Sequence, residues 1–170
     1  MANYSKGKIA IPSVTGNIVI NITAVPSAPT YTNLADPSSV DWLVDTRLST
    51  SSTSAEEGTD TTNYIPCVYG DTIRVRNLGV GEANRRLGFY DADKTRSSVD
   101  TDYLQRLIAN GGGTYDANTD TYTFTAGEYW NPYSSQISHF TNIGYIRMCG
   151  KYKTGKTSAD VIITVNEEIA

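Results

Sequence analysis

The feature that most constrains the fold is a set of short segments in which apolar and polar residues alternate. Between Asp71 and Arg76, Ile73 and Val75 alternate with arginines, which is the two-residue period of a β-strand with one buried face. The run 161–165 is β-branched and of strand length, and serine and threonine fill 37 of the 170 positions, a composition typical of β proteins. Because 170 residues are about one ordinary domain, these patterns predict a single β-rich body.

One segment departs from the strand pattern. Apolar side chains recur at helical spacing from Val99 to Ile108, so we expect one short helix near residues 100–110. The alternating segments 71–76 and 86–90 follow one another in the chain, and we expect their strands to be neighbours. With so little helix available to cover a parallel sheet, the sequence predicts an all-β, antiparallel, jelly-roll-like β-sandwich.

The N-terminal segment has its own alternation. Ile18, Ile20 and Ile22 form one apolar face of a predicted hairpin, and prolines at 26 and 29 interrupt the pattern after it. We therefore expect an N-terminal β-hairpin or attachment arm at 1–25 and a sandwich at 30–170. The three isoleucines are the candidate assembly interface, because an exposed apolar face is typical of protein interfaces.

Charge and motif content argue against several classes of function. A net charge of −4 disfavours nucleic-acid binding, which needs a basic face, and no apolar run is long enough to predict membrane insertion. His139 is the single histidine and no G-x-S-x-G motif is present. The segment 150–157 fits the phosphate-loop string, but a β-branched run follows where a helix is needed, and we interpret it as a basic hairpin turn. We expect no enzymatic activity and no cofactor.

Two further groups of residues could carry chemistry. Asp116, Asn118 and Asp120 have the spacing of the first ligands of a calcium loop, which makes them a weak metal candidate. A hairpin turn capped by its own side chains explains the same residues, and we favour that interpretation. Cys67 and Cys149 each lie in a strand-like run, and we expect buried free thiols, with a disulfide between the sheets as the alternative.

An aromatic segment is the strongest binding candidate in the sequence. Tyr129, Trp130 and Tyr133 surround a proline turn, and exposed aromatic faces on a rigid β scaffold are surfaces on which sugars stack. Asn131, Arg47 and Trp42 are the expected polar or flanking partners of such a site. The alternative is that Trp130 and Trp42 close the ends of the sandwich, as large aromatic residues usually do.

Several segments resemble a known kind of module. The segment 8–24 looks like the closing hairpin of Ig-like repeats in surface and virion proteins of bacteriophages and prophages of Gram-positive hosts. The body resembles the β-sandwich modules that follow such repeats, through the segments 41–48, 63–75, 145–150 and 161–167. The chain departs from the family pattern because only the last hairpin of the repeat is present.

The resemblance implies a structural protein of the phage particle surface, such as a tail fibre or baseplate protein, that binds host cell-surface carbohydrate. The implied alternative is a capsid decoration or head-fibre protein that docks on other virion proteins through its N-terminal arm. Its location would be the virion, its partners other virion proteins and a host glycan, and its form a homo-oligomer.

Overall fold

The alternating segments form strands in the computed structural model, which describes residues 31–48, 53–78, 87–96 and 104–169. These residues belong to one unit, Tyr31–Ile169. The predicted arm at 1–25, with Ile18, Ile20 and Ile22, lies outside the described residues, so its role remains a prediction.

Twelve strands and one α-helix are present in the described ranges. In chain order they are β1 (Thr46–Leu48), β2 (Thr53–Ala55), β3 (Asp60–Thr61), β4 (Ile65–Pro66), β5 (Thr72–Arg76), β6 (Leu87–Tyr90), α1 (Leu104–Ala109), β7 (Gly113–Asp116), β8 (Thr121–Thr125), β9 (Glu128–Asn131), β10 (Gln136–His139), β11 (Tyr145–Gly150) and β12 (Ile162–Val165). The predicted short helix near 100–110 is confirmed.

Two four-stranded antiparallel sheets dominate the structure. The first has the order β12–β5–β8–β7, and in the second β11 pairs with β3 and β4 on one side and with β6 on the other. Two separate hairpins, β1–β2 and β9–β10, complete the strand pairing. The predicted all-β antiparallel sandwich is confirmed.

One apolar core joins the inner faces of the two sheets. From the first sheet it contains Ile73, Val75 and Phe124, and from the second it contains Phe89 and Ile146, all between 0% and 2% exposed. The arginines that alternate with Ile73 and Val75 consequently lie on the outer face of the first sheet, as the two-residue period requires. Burial of these side chains is the main source of stability, at about 1.5–3 kcal/mol for each large one.

The helix α1 is short and packs through its apolar stripe. Leu104 and Leu107 are buried, and the last turn closes with hydrogen bonds from the backbone N–H groups of Gly111 and Gly112 to the carbonyls of Ile108 and Leu107. In the part of the chain that the structure describes, no helix has the length and apolar character needed to cross a bilayer.

Two predicted strand relationships are wrong. The strands β5 and β6 are not neighbours, because β5 lies in the first sheet and β6 pairs with β11 in the second. The segment 150–157 is not a hairpin turn, because it connects β11 to β12, which lie in different sheets. A three-residue 3₁₀ helix, Ser158–Asp160, follows it, and this is too short to supply the helix N-terminus of a phosphate loop.

Candidate ligand-binding site

The predicted aromatic segment forms the β9–β10 hairpin. Trp130 pairs with Ile137, Tyr129 with Ser138, and the strands are joined by the turn 132–135. The sequence predicted a proline turn here but not the flanking strands.

Asn131 fixes the conformation of this turn. Its side-chain oxygen accepts hydrogen bonds from the backbone N–H groups of Tyr133, at 3.0 Å, and Ser134, at 3.4 Å, the pattern of an Asx turn. Tyr133 is held at the tip of the hairpin with 91% of its surface exposed. The amide oxygen of Asn131 therefore holds the turn, whereas the sequence suggested that this side chain would contact a ligand.

The pairing register divides the hairpin into two faces. Glu128, Trp130, Ile137 and His139 share one face, because side chains at alternate positions and directly opposite positions point the same way. Tyr129 lies on the other face, where its ring centroid is 6.4 Å from that of Phe89 in the core. Tyr129 is therefore partly a packing residue, while Trp130 remains half-buried with acidic and imidazole neighbours on its own face.

Tyr69 extends the Trp130 face from another part of the chain. Its hydroxyl lies 3.2 Å from Nδ1 of His139, and the two rings are perpendicular with centroids 5.9 Å apart. The same Nδ1 atom is 4.0 Å from a carboxylate oxygen of Glu128. Tyr69 is 41% exposed, so its ring is also available to solvent.

We define the hairpin site as Tyr69, Glu128, Trp130, Tyr133 and His139. It combines three aromatic rings with a carboxylate, an imidazole and phenolic hydroxyls, so it offers both stacking surfaces and hydrogen-bonding groups. This combination suits a flat, hydroxyl-rich ligand. The sequence analysis did not include Tyr69, Glu128 and His139 among the site residues. The one local pattern that could have indicated any of them is the two-residue spacing of Glu128 and Trp130, which places both on one face of a strand.

Two predicted site residues lie elsewhere. Trp42 is 6% exposed, and its indole N–H donates to Oδ2 of Asp60 at 3.0 Å. Its assignment to the ligand site is wrong, because its ring fills the core and its polar atom is already paired. Arg47 lies on β1, where its side chain donates to Ser54 at 2.9 Å and forms a 3.2 Å ion pair with Glu56.

The candidate calcium loop forms the turn between β7 and β8. The carboxylate of Asp116 accepts hydrogen bonds from the backbone N–H of Asn118 at 2.9 Å and from the Thr119 hydroxyl at 2.8 Å. These bonds hold the pKa of Asp116 below its usual value. Asp120 is buried and accepts from the Tyr115 hydroxyl at 2.8 Å. Within the described ranges, no three acidic, histidine or cysteine side chains form a group that could hold a metal ion, and the capped-turn interpretation accounts for these contacts.

Both cysteines are buried and neither forms a disulfide, so the prediction of buried thiols is confirmed and the alternative disulfide is absent. Burial raises the pKa of the Cys67 thiol to about 12, with a smaller contribution from the nearby carboxylate of Asp71. Cys67 is therefore a packing residue in its neutral form.

Comparison with known proteins gives no match: no protein-family model fits the chain, and no curated protein or solved structure is significantly similar to it. The resemblance to phage virion modules therefore remains a prediction.

Proposed function

We propose that the protein is a non-enzymatic structural module of a bacteriophage particle surface that binds host cell-surface carbohydrate through the hairpin site. The observation that carries this proposal is Tyr133, which a side-chain-capped turn holds in solvent with 91% of its surface exposed. The half-buried Trp130 on the same hairpin supplies a second aromatic surface.

The geometry supports recognition of a sugar by stacking and hydrogen bonding together. The apolar face of a sugar ring packs on an aromatic ring, and the ring hydroxyls need donors and acceptors at its edge. Glu128 lies on the Trp130 face as an acceptor, and Tyr69 and His139 contact each other beside it. Because the Asx turn and the strand pairing already order the hairpin, binding loses little conformational entropy there.

Display on a particle surface suits weak glycan binding by many copies of the protein at once. A flat surface site of this kind gives modest affinity, and a homo-oligomer displayed with other virion proteins would multiply it through avidity. The virion location and these partners rest on the resemblance of the sequence segments.

The test is binding of the purified protein to a glycan array of bacterial surface polysaccharides, with Tyr133→Ala and Val40→Ala compared with the wild type. Val40 is 95% exposed in a different loop, so its truncation controls for loss of an exposed apolar side chain. We expect Tyr133→Ala to weaken binding by about two- to twelvefold, from the loss of about 0.5–1.5 kcal/mol of aromatic contact, and Val40→Ala to leave it unchanged.

Absence of glycan binding by the wild type, or equal binding by Tyr133→Ala, would contradict the proposal. In that event the decoration or head-fibre alternative, with docking through residues 1–25, would become the leading hypothesis.

A further inference from the structure

We propose that the outer face of the first sheet carries a second, independent binding site, for a single sugar unit. The site is a groove of about 190 Å³, whose lining includes Arg74, Arg76, Thr114, Asp116, Thr121 and Thr123. The hairpin site includes none of the residues that line this groove, and one of the candidate calcium ligands, Asp116, is among them.

Two rows of side chains cross the outer face at the floor of the groove. Register places Arg74, Thr123 and Thr114 directly opposite one another on β5, β8 and β7, and Arg76, Thr121 and Asp116 form the next row. Neighbouring strands are about 4.8 Å apart and the rows about 6.8 Å apart. We call these six residues the outer grid, and its dimensions are those of a sugar ring with its hydroxyl groups.

The residues 166–169, which we call the C-terminal strap, hold the arginines of the outer grid in place. Arg74 donates to the carbonyl of Glu167 at 3.1 Å and forms an ion pair with Glu168. Arg76 donates to the carbonyl of Ile169 at 3.2 Å and to the Thr121 hydroxyl at 3.0 Å. These contacts fix both guanidinium groups before a ligand arrives, which favours binding.

Two hydroxyls of the outer grid remain available for a ligand. Within the described residues, the Thr114 and Thr123 hydroxyls make no hydrogen bond, although each is adjacent to charged or polar neighbours on the same face. A threonine hydroxyl can donate and accept at once. A pair of such groups directly across two strands matches the hydroxyl groups of a sugar, which also donate and accept.

The charge of the groove favours a neutral sugar over an anionic ligand. Two guanidinium groups face two carboxylates, Asp116 and Glu168, so the lining has no net charge. A phosphate group accepts hydrogen bonds and is repelled by carboxylates, whereas a neutral sugar uses donors and acceptors equally. The volume equals about six water molecules and is below the range of roughly 300–1,000 Å³ of sites for larger ligands, which fits one sugar ring.

The test is a titration of ¹⁵N-labelled protein with glucose, galactose and N-acetylglucosamine, and separately with inorganic phosphate, followed by amide chemical shifts. Thr123→Val removes one hydroxyl of the outer grid while keeping a β-branched side chain. Thr125→Val is the matched control, because Thr125 lies on the same strand and face but outside the groove. Thr114→Val on the edge strand gives a second removal.

We expect at least one of these sugars to shift the amides of residues 114, 121 and 123. Thr123→Val and Thr114→Val should each raise the Kd by about three- to tenfold, the effect of one lost hydrogen bond, while Thr125→Val leaves it unchanged. Tyr133→Ala should also leave these shifts unchanged, which separates this site from the hairpin site.

Four results would overturn the proposal. The first three are the absence of shifts at the outer grid with all three sugars, a stronger response to phosphate than to any sugar, and equal effects of Thr123→Val and Thr125→Val. Loss of the shifts in Tyr133→Ala would equally overturn it, because the two sites would then not be independent.

Discussion

Gly127 determines how closely the β9–β10 hairpin approaches Tyr69, and its replacement by alanine gives a quantitative prediction. Gly127 has φ +89°, and a Cβ atom added to it would lie 2.5 Å from the carbonyl oxygen of Phe140 and 2.6 Å from Cδ2 of Tyr69. Real Cβ atoms do not approach other heavy atoms so closely, so Gly127→Ala must displace the hairpin backbone, the Tyr69 ring or both.

The magnitude follows from two separate costs. Alanine at a positive φ is destabilised by about 1–2 kcal/mol, and overpacking of a filled site adds about 1–3 kcal/mol. Gly155 provides the control, because it has φ +78° but no atom within 4 Å of an added Cβ. Gly127→Ala should therefore lower the free energy of unfolding by about 2–5 kcal/mol, and Gly155→Ala by only about 1–2 kcal/mol.

The assay is urea unfolding of both variants and the wild type, monitored by far-ultraviolet circular dichroism, with equal slopes required for the comparison. Both substitutions reduce the entropy of the unfolded chain in the same way, so that effect cancels in the difference. Equal destabilisation by the two substitutions would refute the reasoning, because it would mean that Gly127 does not closely contact Tyr69 and Phe140.

Three further predictions concern buried and turn residues. Asp60→Asn should destabilise the protein by about 2–4 kcal/mol in urea unfolding, because one oxygen of the buried carboxylate accepts from the Trp42 indole and the other from the backbone N–H of Asp45. Asparagine replaces one of these oxygens with an NH₂ group, which cannot accept; unchanged stability would contradict this. Cys67 should resist alkylation in the folded state. Because its pKa is raised from 9.0 to about 12 on folding, its contribution to stability should be complete below pH 9 and lost as the pH rises towards 12. Unfolding curves of the wild type and Cys67→Ala at several pH values measure this loss. Asp116 has a lowered pKa in the β7–β8 turn, so its contribution should be present above its ordinary value of 3.8 and disappear as the pH falls below it; a wild-type acid profile identical to that of Asp116→Ala would contradict this.

The sequence predicted strands well where one face is buried and the other exposed. Ile73 and Val75 alternate with arginines because their strand separates the core from solvent, and that requirement is local. The neighbours of β5 in its sheet could not be predicted from local alternation, because the packing of the whole core determines that they are β8 and β12. The wrong expectation that β5 and β6 are neighbours has this cause.

The candidate site could be predicted only in part. The exposure of Tyr133 at the hairpin tip agrees with the local proline turn that the sequence indicated, and its role as a site residue remains a prediction. Tyr69 reaches His139 across 70 positions of the chain, so no local pattern could place it there. The burial of Trp42 leaves no unpaired donor, because its indole N–H donates to Asp60. The residues around Trp42 in the sequence do not identify this partner.

The most direct test of the hairpin site is the fluorescence of Trp130 during titration with a glycan that binds on the array. The protein has two tryptophans, and Trp42 is buried and hydrogen-bonded, so subtracting the signal of Trp130→Phe isolates the response of Trp130. We predict that a neutral quencher reduces Trp130 emission, that the glycan shifts the emission, and that the bound glycan protects it from the quencher. A Trp130 signal that is blue-shifted, unquenched and unaffected by the glycan would contradict the account.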